Sequence, residues 1–463
     1  MRSKWSRGRR VEIGPTPRTE YKFNDADPVN IRLGLLMIND VLYIAFANIV
    51  PDPKDQHWSQ EGFVQTFNAR DLKQRLAVFQ STPVGRKGGI WQGGRGIATD
   101  GLGNIYVATA GGSYDGVTDF GSSIVKLAAG NLKMVDWFTP KNHEYLFLQN
   151  IDLSAGGVTL IPNSPLMFAG GKEGVIVLLN RNSMGKLEGT QGEPVQRFQA
   201  TSGCGQTDCA QTLGTAFWRR QKDGVLYVWD RNDFLRAYDF VNDRFVTTPS
   251  AVSPEKRAMT GGPTLSANGS DVASGIVWAA TTQSTKSGGL APGTLRAFRA
   301  SNIAQEIYNT DMNAARDALG DFTKFAPPVV ANGKVYAATQ SKAVVVYGLL
   351  CGQDVSSLVK VNLGTRRAGP NNTYTQTITV KNTSSHAIGA PFDIALDNLS
   401  PGAKLTNSTG ATSCAAPVGS PLIRSTNAPL WLAPQASFTV ALGLAAPANA
   451  RFKVRVLTGA NGR

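Results

Sequence analysis

Six short β-like phrases recur along this 463-residue chain, each built around a large aromatic residue. They are 40–46 (DVLYIAF), 103–109 (GNIYVAT), 165–171 (PLMFAGG), 224–230 (GVLYVWD), 275–281 (GIVWAAT) and 333–339 (GKVYAAT). Aligned on the aromatic they place Tyr43, Tyr106, Phe168, Tyr227, Trp278 and Tyr336 at intervals of 63, 62, 59, 51 and 58 residues. A period this regular marks a repeat architecture, in which each unit buries its apolar face only against its neighbours.

A second phrase follows each first one: FVQTFNA, SIVKLAA, VIVLLNR, FLRAYDF, TLRAFRA and AVVVYGL. Both kinds are rich in Val, Ile, Tyr and Phe and are bounded by turn residues such as Asn268-Gly269 and Asn332-Gly333, the signature of hairpin strands. Most copies carry a further apolar strand upstream (LGLLMI, GGVTLI, GGPTLS, APPVV) and another downstream (LAVFQS, MVDWFT, VQRFQA, RFVTT, EIYNT). Four short antiparallel strands repeated in this way describe the blade of a β-propeller. Helical periodicity is nearly absent, its best instance being the eight residues 312–319 (MNAARDAL), a decoration on a loop.

The blades resemble the quinoprotein-type repeat of PQQ-like β-propellers. Segments 236–246 (RAYDFVNDRFV), 296–308 (RAFRASNIAQEIY) and 65–79 (QTFNARDLKQRLAVF) stand where that repeat carries its Ala-x-Asp-x-x-Thr-Gly-x-x-x-Trp docking pattern, here eroded and without the closing tryptophan. A closer resemblance, to bacterial secreted PQQ-like propellers of unassigned activity, rests on 88–96 (GGIWQGGRG), 135–140 (VDWFTP), 152–162 (DLSAGGVTLIP), 170–181 (GGKEGVIVLLNR) and 316–340 (RDALGDFTKFAPPVVANGKVYAATQ). It implies an all-β chain with a propeller over 28–350, of which about six blades are present, and an Ig-like β-sandwich over 351–463. Residues 1–27 are a basic segment whose 11–13 (VEI) offers one strand. Either VEI closes a six-bladed ring, or the chain is a piece of a larger, eight-bladed one. The second is expected, since the resemblance places an export signal and about two more blades upstream.

Beyond position 350 the composition turns to Thr, Ser, Asn and Ala, with alternating runs such as YTQTITVKNTS, FTVALGL and RFKVRVL, as in a sandwich of short strands. The net charge of +14 is concentrated at the two ends, +5 in residues 1–10 and +7 in 351–463, which leaves the propeller at +2. That gives the propeller no electrostatic footprint for nucleic acid. No run of eighteen apolar residues suggests a membrane-spanning helix. The resemblance to secreted propellers implies, as partners, an extracellular ligand, a glycan or a protein.

Catalytic signatures are sparse. No two cysteines are adjacent, as the cofactor clamp of a quinoprotein dehydrogenase would have them, and no G-x-S-x-G elbow is present. The expected function is non-enzymatic binding or adhesion at the cell exterior, without a cofactor. The alternative is a quinoprotein-like oxidoreductase on alcohols or sugars, needing PQQ and calcium. Ligand-binding candidates stand where loops would gather around a central channel: Trp91, Gln92 and Arg95; Lys172 and Glu173 at a hairpin tip; Arg316, Asp317 and Lys324 before the last repeat. The competing reading makes Lys172–Glu173 and Arg316–Asp317 structural salt bridges between blades. Asp115 and Asp119 in the loop GSYDGVTDFG are a weaker calcium candidate.

The four cysteines fall into two local pairs, Cys204 with Cys209 and Cys351 with Cys414, as suits an oxidising compartment. In the chain-entropy description, the second bridge, closing about 60 residues, contributes about 4 kcal/mol. Non-reducing peptide mapping is expected to recover both bridges; free thiols at Cys351 and Cys414 would remove the pairing and the oxidising address together.

Overall fold

The computed structural model describes residues 29–30, 32–51, 58–202, 214–221, 223–284, 290–348, 353–413, 416–429, 431–445, 447 and 449–459. The four cysteines and the VEI segment lie outside them. The chain divides into two compact units between Tyr347 and Gly348.

In the first unit every aromatic phrase is a strand, hairpinned to the second phrase that follows it. Leu36–Ile38, Val41–Pro51, Trp58–Asn68 and Asp71–Gln80 form the first antiparallel sheet, with Val29–Asn30 on its edge. The second runs Ala98–Thr99, Asn104–Ala108, Ile124–Ala128, Met134–Thr139, and the third Val158–Leu160, Leu166–Gly170, Val175–Asn180, Gln196–Gln199. Gly214–Arg219, Gly224–Trp229 and Arg236–Val241 build the fourth; Thr264–Ser266, Ile276–Thr282, Thr294–Arg299 and Glu306–Asn309 the fifth; Val329–Ala331, Lys334–Ala338 and Val344–Gly348 the sixth. Two details depart from the sequence pattern. Lys186–Leu187 adds a parallel strand outside the second sheet, and RFVTT shrinks to Arg244–Phe245, beside which Ala251–Val252 also pairs. The longest α-helix among the described residues is His143–Leu148, while the expected 312–319 holds the end of a 3₁₀ turn, Thr310–Asn313, and the short helix Ala314–Asp317. Six residues are too few for helical periodicity to register.

Each pair of successive sheets shares one apolar core. The first and second meet through Tyr43, Val64, Ile105 and Val125; the second and third through Tyr106, Ile124, Met167 and Val177. Phe168, Leu178, Leu226 and Phe240 fill the third seam; Tyr227, Trp229, Val277 and Phe298 the fourth; Ala280, Leu295, Val335 and Ala337 the fifth. Strand side chains alternate between faces, so a strand buried on both sides reads as a continuous apolar run. That explains GVLYVW, buried at all six positions. The tyrosines also pin neighbouring sheets by polar contacts. Tyr43 Oη donates to Ala129 O at 3.1 Å, Tyr227 Oη to Ala300 O at 2.7 Å, and Tyr238 Oη to Ala200 O at 2.5 Å. The sixth sheet leaves Val329, Val344 and Val346 exposed, and the first leaves Leu35 and Met37 exposed.

The second unit packs two antiparallel sheets over one core. Val359–Leu363, Thr373–Asn382, Ser437–Ala445 and Lys404–Leu405 make one sheet; Gln353–Asp354, Lys453–Thr458, Phe392–Asp397, Pro421–Arg424 and Gly410–Ala411 make the other. Ile378, Val380, Val440 and Leu442 face Ile394, Leu396, Ile423 and Val456 across it. Two buried carboxylates are neutralised within the second sheet. Asp393 takes a bidentate contact from Arg424 at 2.9 and 3.0 Å, and Asp397 is held by Arg455 at 2.9 Å. Part of this unit's basic excess is therefore structural.

Replacing Tyr227 by Phe removes one fully buried hydrogen bond between sheets and leaves the Ala300 carbonyl without its partner. The expected loss is about 1–2 kcal/mol, read as a lowered thermal midpoint with unchanged circular dichroism.

Candidate functional site

The loops that lead into the innermost strands converge. The turn 88–96, ahead of the second sheet, is the hub. Gly34, ahead of the first sheet, pairs in parallel with Gly96, and its N–H donates to Arg95 O at 3.1 Å. Ser154 Oγ, ahead of the third sheet, reaches Gly89 O at 3.5 Å, and a Cβ built on Gly157 would lie 3.3 Å from Gln92 Cβ. Arg95 Nη2 points to Pro263 O, ahead of the fifth sheet, at 3.4 Å. Gly94 has φ +84°, and a Cβ there would stand 2.1 Å from Phe325 O, ahead of the sixth. The fourth sheet enters through Gly214, whose Cβ would lie 2.7 Å from Gly262 Cα. Glycine is required at Gly94 for both its left-handed backbone and its close approach. Phe325 itself holds φ +63°, a strained conformation for a bulky residue that the packed surroundings must impose.

Two guanidinium groups occupy this convergence. Arg32 Cζ lies 4.3 Å from the Trp91 ring centroid and 4.4 Å from that of Phe325. Its pKa is lowered by burial, an effect partly offset by the Asp152 carboxylate. Arg95 is half-buried, and burial brings its pKa down to about 10. Among the described residues, neither arginine forms an ion pair. Asp152 is instead bound by Lys172, which also donates to Asn150 O at 2.9 Å.

Trp91, Gln92 and Arg95 therefore stand together, joined to Lys172 through Arg32 and Asp152. Trp91 is buried, and buried Gln92 braces the turn, its Oε1 accepting from Ala108 N at 3.1 Å and its Nε2 donating to Gly96 O at 3.0 Å. Lys324 Nζ sits 4.8 Å from the Phe325 ring centroid. Glu173 turns elsewhere, accepting from Asn142 Nδ2 at 2.9 Å near an open cleft of about 580 Å³ lined by Lys141, Glu188, Glu193 and Arg197. Arg316 and Asp317 pair with each other at 2.6 and 2.7 Å, and Asp317 O accepts from Tyr347 Oη, tying the chain beside the sixth sheet. Lys172 does not pair with Glu173. Asp115 spends its carboxylate on the N–H groups of Val117, Thr118 and Asp119 at 2.8 Å, and Asp119 accepts from Val84 N at 3.1 Å. The described residues contain no group of three or more metal-ligating side chains of the His, Cys, Asp and Glu types.

Arg32, Asp152 and Phe325 were not singled out from the sequence. Asp152 and Phe325 lie within 152–162 and 316–340, but no local spacing there points to Arg32, far away in the chain. Asp230 was likewise missed. It is 2 % exposed, and burial raises its pKa to about 7, against hydrogen bonds from Arg231 N and Thr201 Oγ1.

No protein-family model and no curated protein sequence matches the chain. Among solved structures, the Neurospora crassa Pan2 WD40 domain aligns at TM-score 0.31 and 11% identity, over 70% of this chain and 96% of that one. Trypanosoma rangeli sialidase in complex with the inhibitor DANA aligns at TM-score 0.32 and 9% identity, over 92% and 90%. The fission yeast SREBP–SCAP binding domains align at 0.29 and 7%, over 62% and 69%. TM-scores near 0.3 carry no inference about what the chain does.

The raised Asp230 pKa fixes a sign. Its folded value, about 7, lies above the ordinary carboxylate value of about 4, so the folded state holds the extra proton. Its contribution is complete below about pH 4 and is lost as pH rises to about 7, a change of about 4 kcal/mol. Asp230→Asn is expected to match the parent's thermal midpoint near pH 4 and exceed it at pH 8. Parallel midpoint–pH curves for the two proteins would refute the assignment.

Proposed function

We propose that this chain is a secreted β-propeller of PQQ-like repeats followed by an Ig-like β-sandwich, and that it binds a ligand, a glycan or a protein at the cell exterior rather than catalysing a reaction. The observation that carries the reading is the convergence on the turn 88–96, which leads the second sheet, of the loops ahead of the first, third, fifth and sixth sheets, with Arg32, Trp91, Arg95 and Phe325 among the residues that meet there. Six antiparallel sheets, each sharing a core with the next, support a radial arrangement in which such loops line a channel. Guanidinium groups and aromatic faces grip charge and apolar surface. They offer no nucleophile, and an arginine at neutral pH is a poor proton acceptor.

Support for a binding role over turnover also comes from how the neighbouring polar groups are used. Asp152 is committed to Lys172, Gln92 to backbone groups, and Asp317 to Arg316. A general base needs a free lone pair near the reacting atom, and these groups spend theirs on holding the loops.

The purified protein, incubated with PQQ, calcium and a dye acceptor on alcohols and sugars, is expected to give no turnover, while a glycan or protein array gives ligands whose binding falls at least tenfold in Trp91→Ala. Reproducible dye reduction would replace this reading with the oxidoreductase one.

A further inference from the structure

The ligand chemistry follows from the charges left over at the convergence, and it rests on the binding reading above. Burying a charge without a partner is costly, so buried guanidinium groups are ordinarily paired. The described residues supply one carboxylate near Arg32, that of Asp152, and Lys172 already holds it. Arg95 makes a single long contact, to the Pro263 carbonyl at 3.4 Å. Two positive charges therefore remain uncompensated on adjoining loops.

We propose that the space beside Arg32 and Arg95 is a binding site for a carboxylate, carried by a small organic acid or by an acidic sugar. Three features select this anion. First, the rings of Trp91 and Phe325 lie against Arg32, which leaves its N–H edges as the available donors. A guanidinium edge matches the two oxygens of a planar carboxylate in a bidentate fork. Second, acceptor oxygens crowd the same loops: Pro263 O faces Arg95, and Phe325 O abuts Gly94. These oxygens and nearby Asp152 oppose a compact dianion such as phosphate or sulfate more strongly than a singly charged carboxylate. Third, the rings offer apolar surface to the carbon skeleton that a carboxylate brings and an inorganic anion lacks.

The test is calorimetric titration of the full chain with succinate and with glucuronate, against phosphate, sulfate and glucose at matched ionic strength. Saturable binding of a carboxylate is expected, with a raised thermal midpoint, and Arg95→Gln or Arg32→Gln should weaken it at least tenfold. Arg95→Lys, which keeps the charge and loses the fork, should fall between. Without anion, Arg95→Gln should melt no lower than the parent, because it removes a half-buried charge that has no ion-pair partner among the described residues; a much lower midpoint would show a built-in partner and overturn the proposal. Tighter binding of phosphate or sulfate than of either carboxylate would overturn it too. Binding of glucose with no carboxylate response would overturn it while leaving the binding reading standing. Carboxylate binding lost in Arg95→Gln supports it even if the dye assay detects turnover, so the two readings fail separately.

Discussion

The first unit depends on the close passage of backbones at points where no side chain intervenes. At Gly94 a methyl group would collide with the Phe325 carbonyl, and at Gly62 with that of Gly88 at 2.1 Å. A Cβ at Gly112 would fall 2.5 Å from Gly88 N, and one at Gly121 2.3 Å from the backbone of Gly112 across the same loop. These contacts bring the sheets' inner ends close enough for each seam to close over its apolar core. Aromatic side chains then fill the wider outer parts of the seams, and tyrosine hydroxyls take up carbonyl groups that burial would otherwise leave unpaired.

How much of this is legible in the sequence follows from the range of each interaction. The strands read directly, because alternation and aromatic spacing are local: GNIYVAT and GVLYVWD name Asn104–Ala108 and Gly224–Trp229 almost to the residue. The turn GGIWQGGRG stands out as a candidate because its glycines and long polar side chains sit together. Arg32 does not, since its significance lies in Trp91 and Phe325, which are distant in the chain. The partner of Lys172 was obscured for the same reason. A carboxylate next to it in sequence, Glu173, looks like the natural ion-pair partner, yet Lys172 binds Asp152 and Glu173 accepts from Asn142. Arg316 and Asp317, by contrast, pair with each other although adjacent in the chain.

The electrostatics of the two units differ in kind. In the sandwich, Arg424 and Arg455 meet buried carboxylates face to face, so their charge is spent on stability. At the loop convergence, Arg32 and Arg95 have aromatic rings and a carbonyl for company, and burial weakens their hold on the proton. Charge left uncompensated in a packed setting costs stability, and proteins concentrate such costs where something is to be recognised. The strained backbone of Phe325 falls at the same place.

The contacts of the convergence also order events in time. Arg95 and Pro263 are 168 residues apart in the chain, and the Gly94–Phe325 approach spans still more. Each sheet of the first unit, apart from the parallel strand Lys186–Leu187, is by contrast built from strands that pair with near neighbours in sequence, and such local pairings close quickly while distant ones wait for the chain between them to be organised. The convergence is thus assembled from finished sheets and is among the last features to appear as the chain folds. Occupancy of the proposed carboxylate site would then report on completion: a molecule with one sheet out of place presents an incomplete set of loops, and binding there would discriminate the mature fold from its near relatives along the folding path.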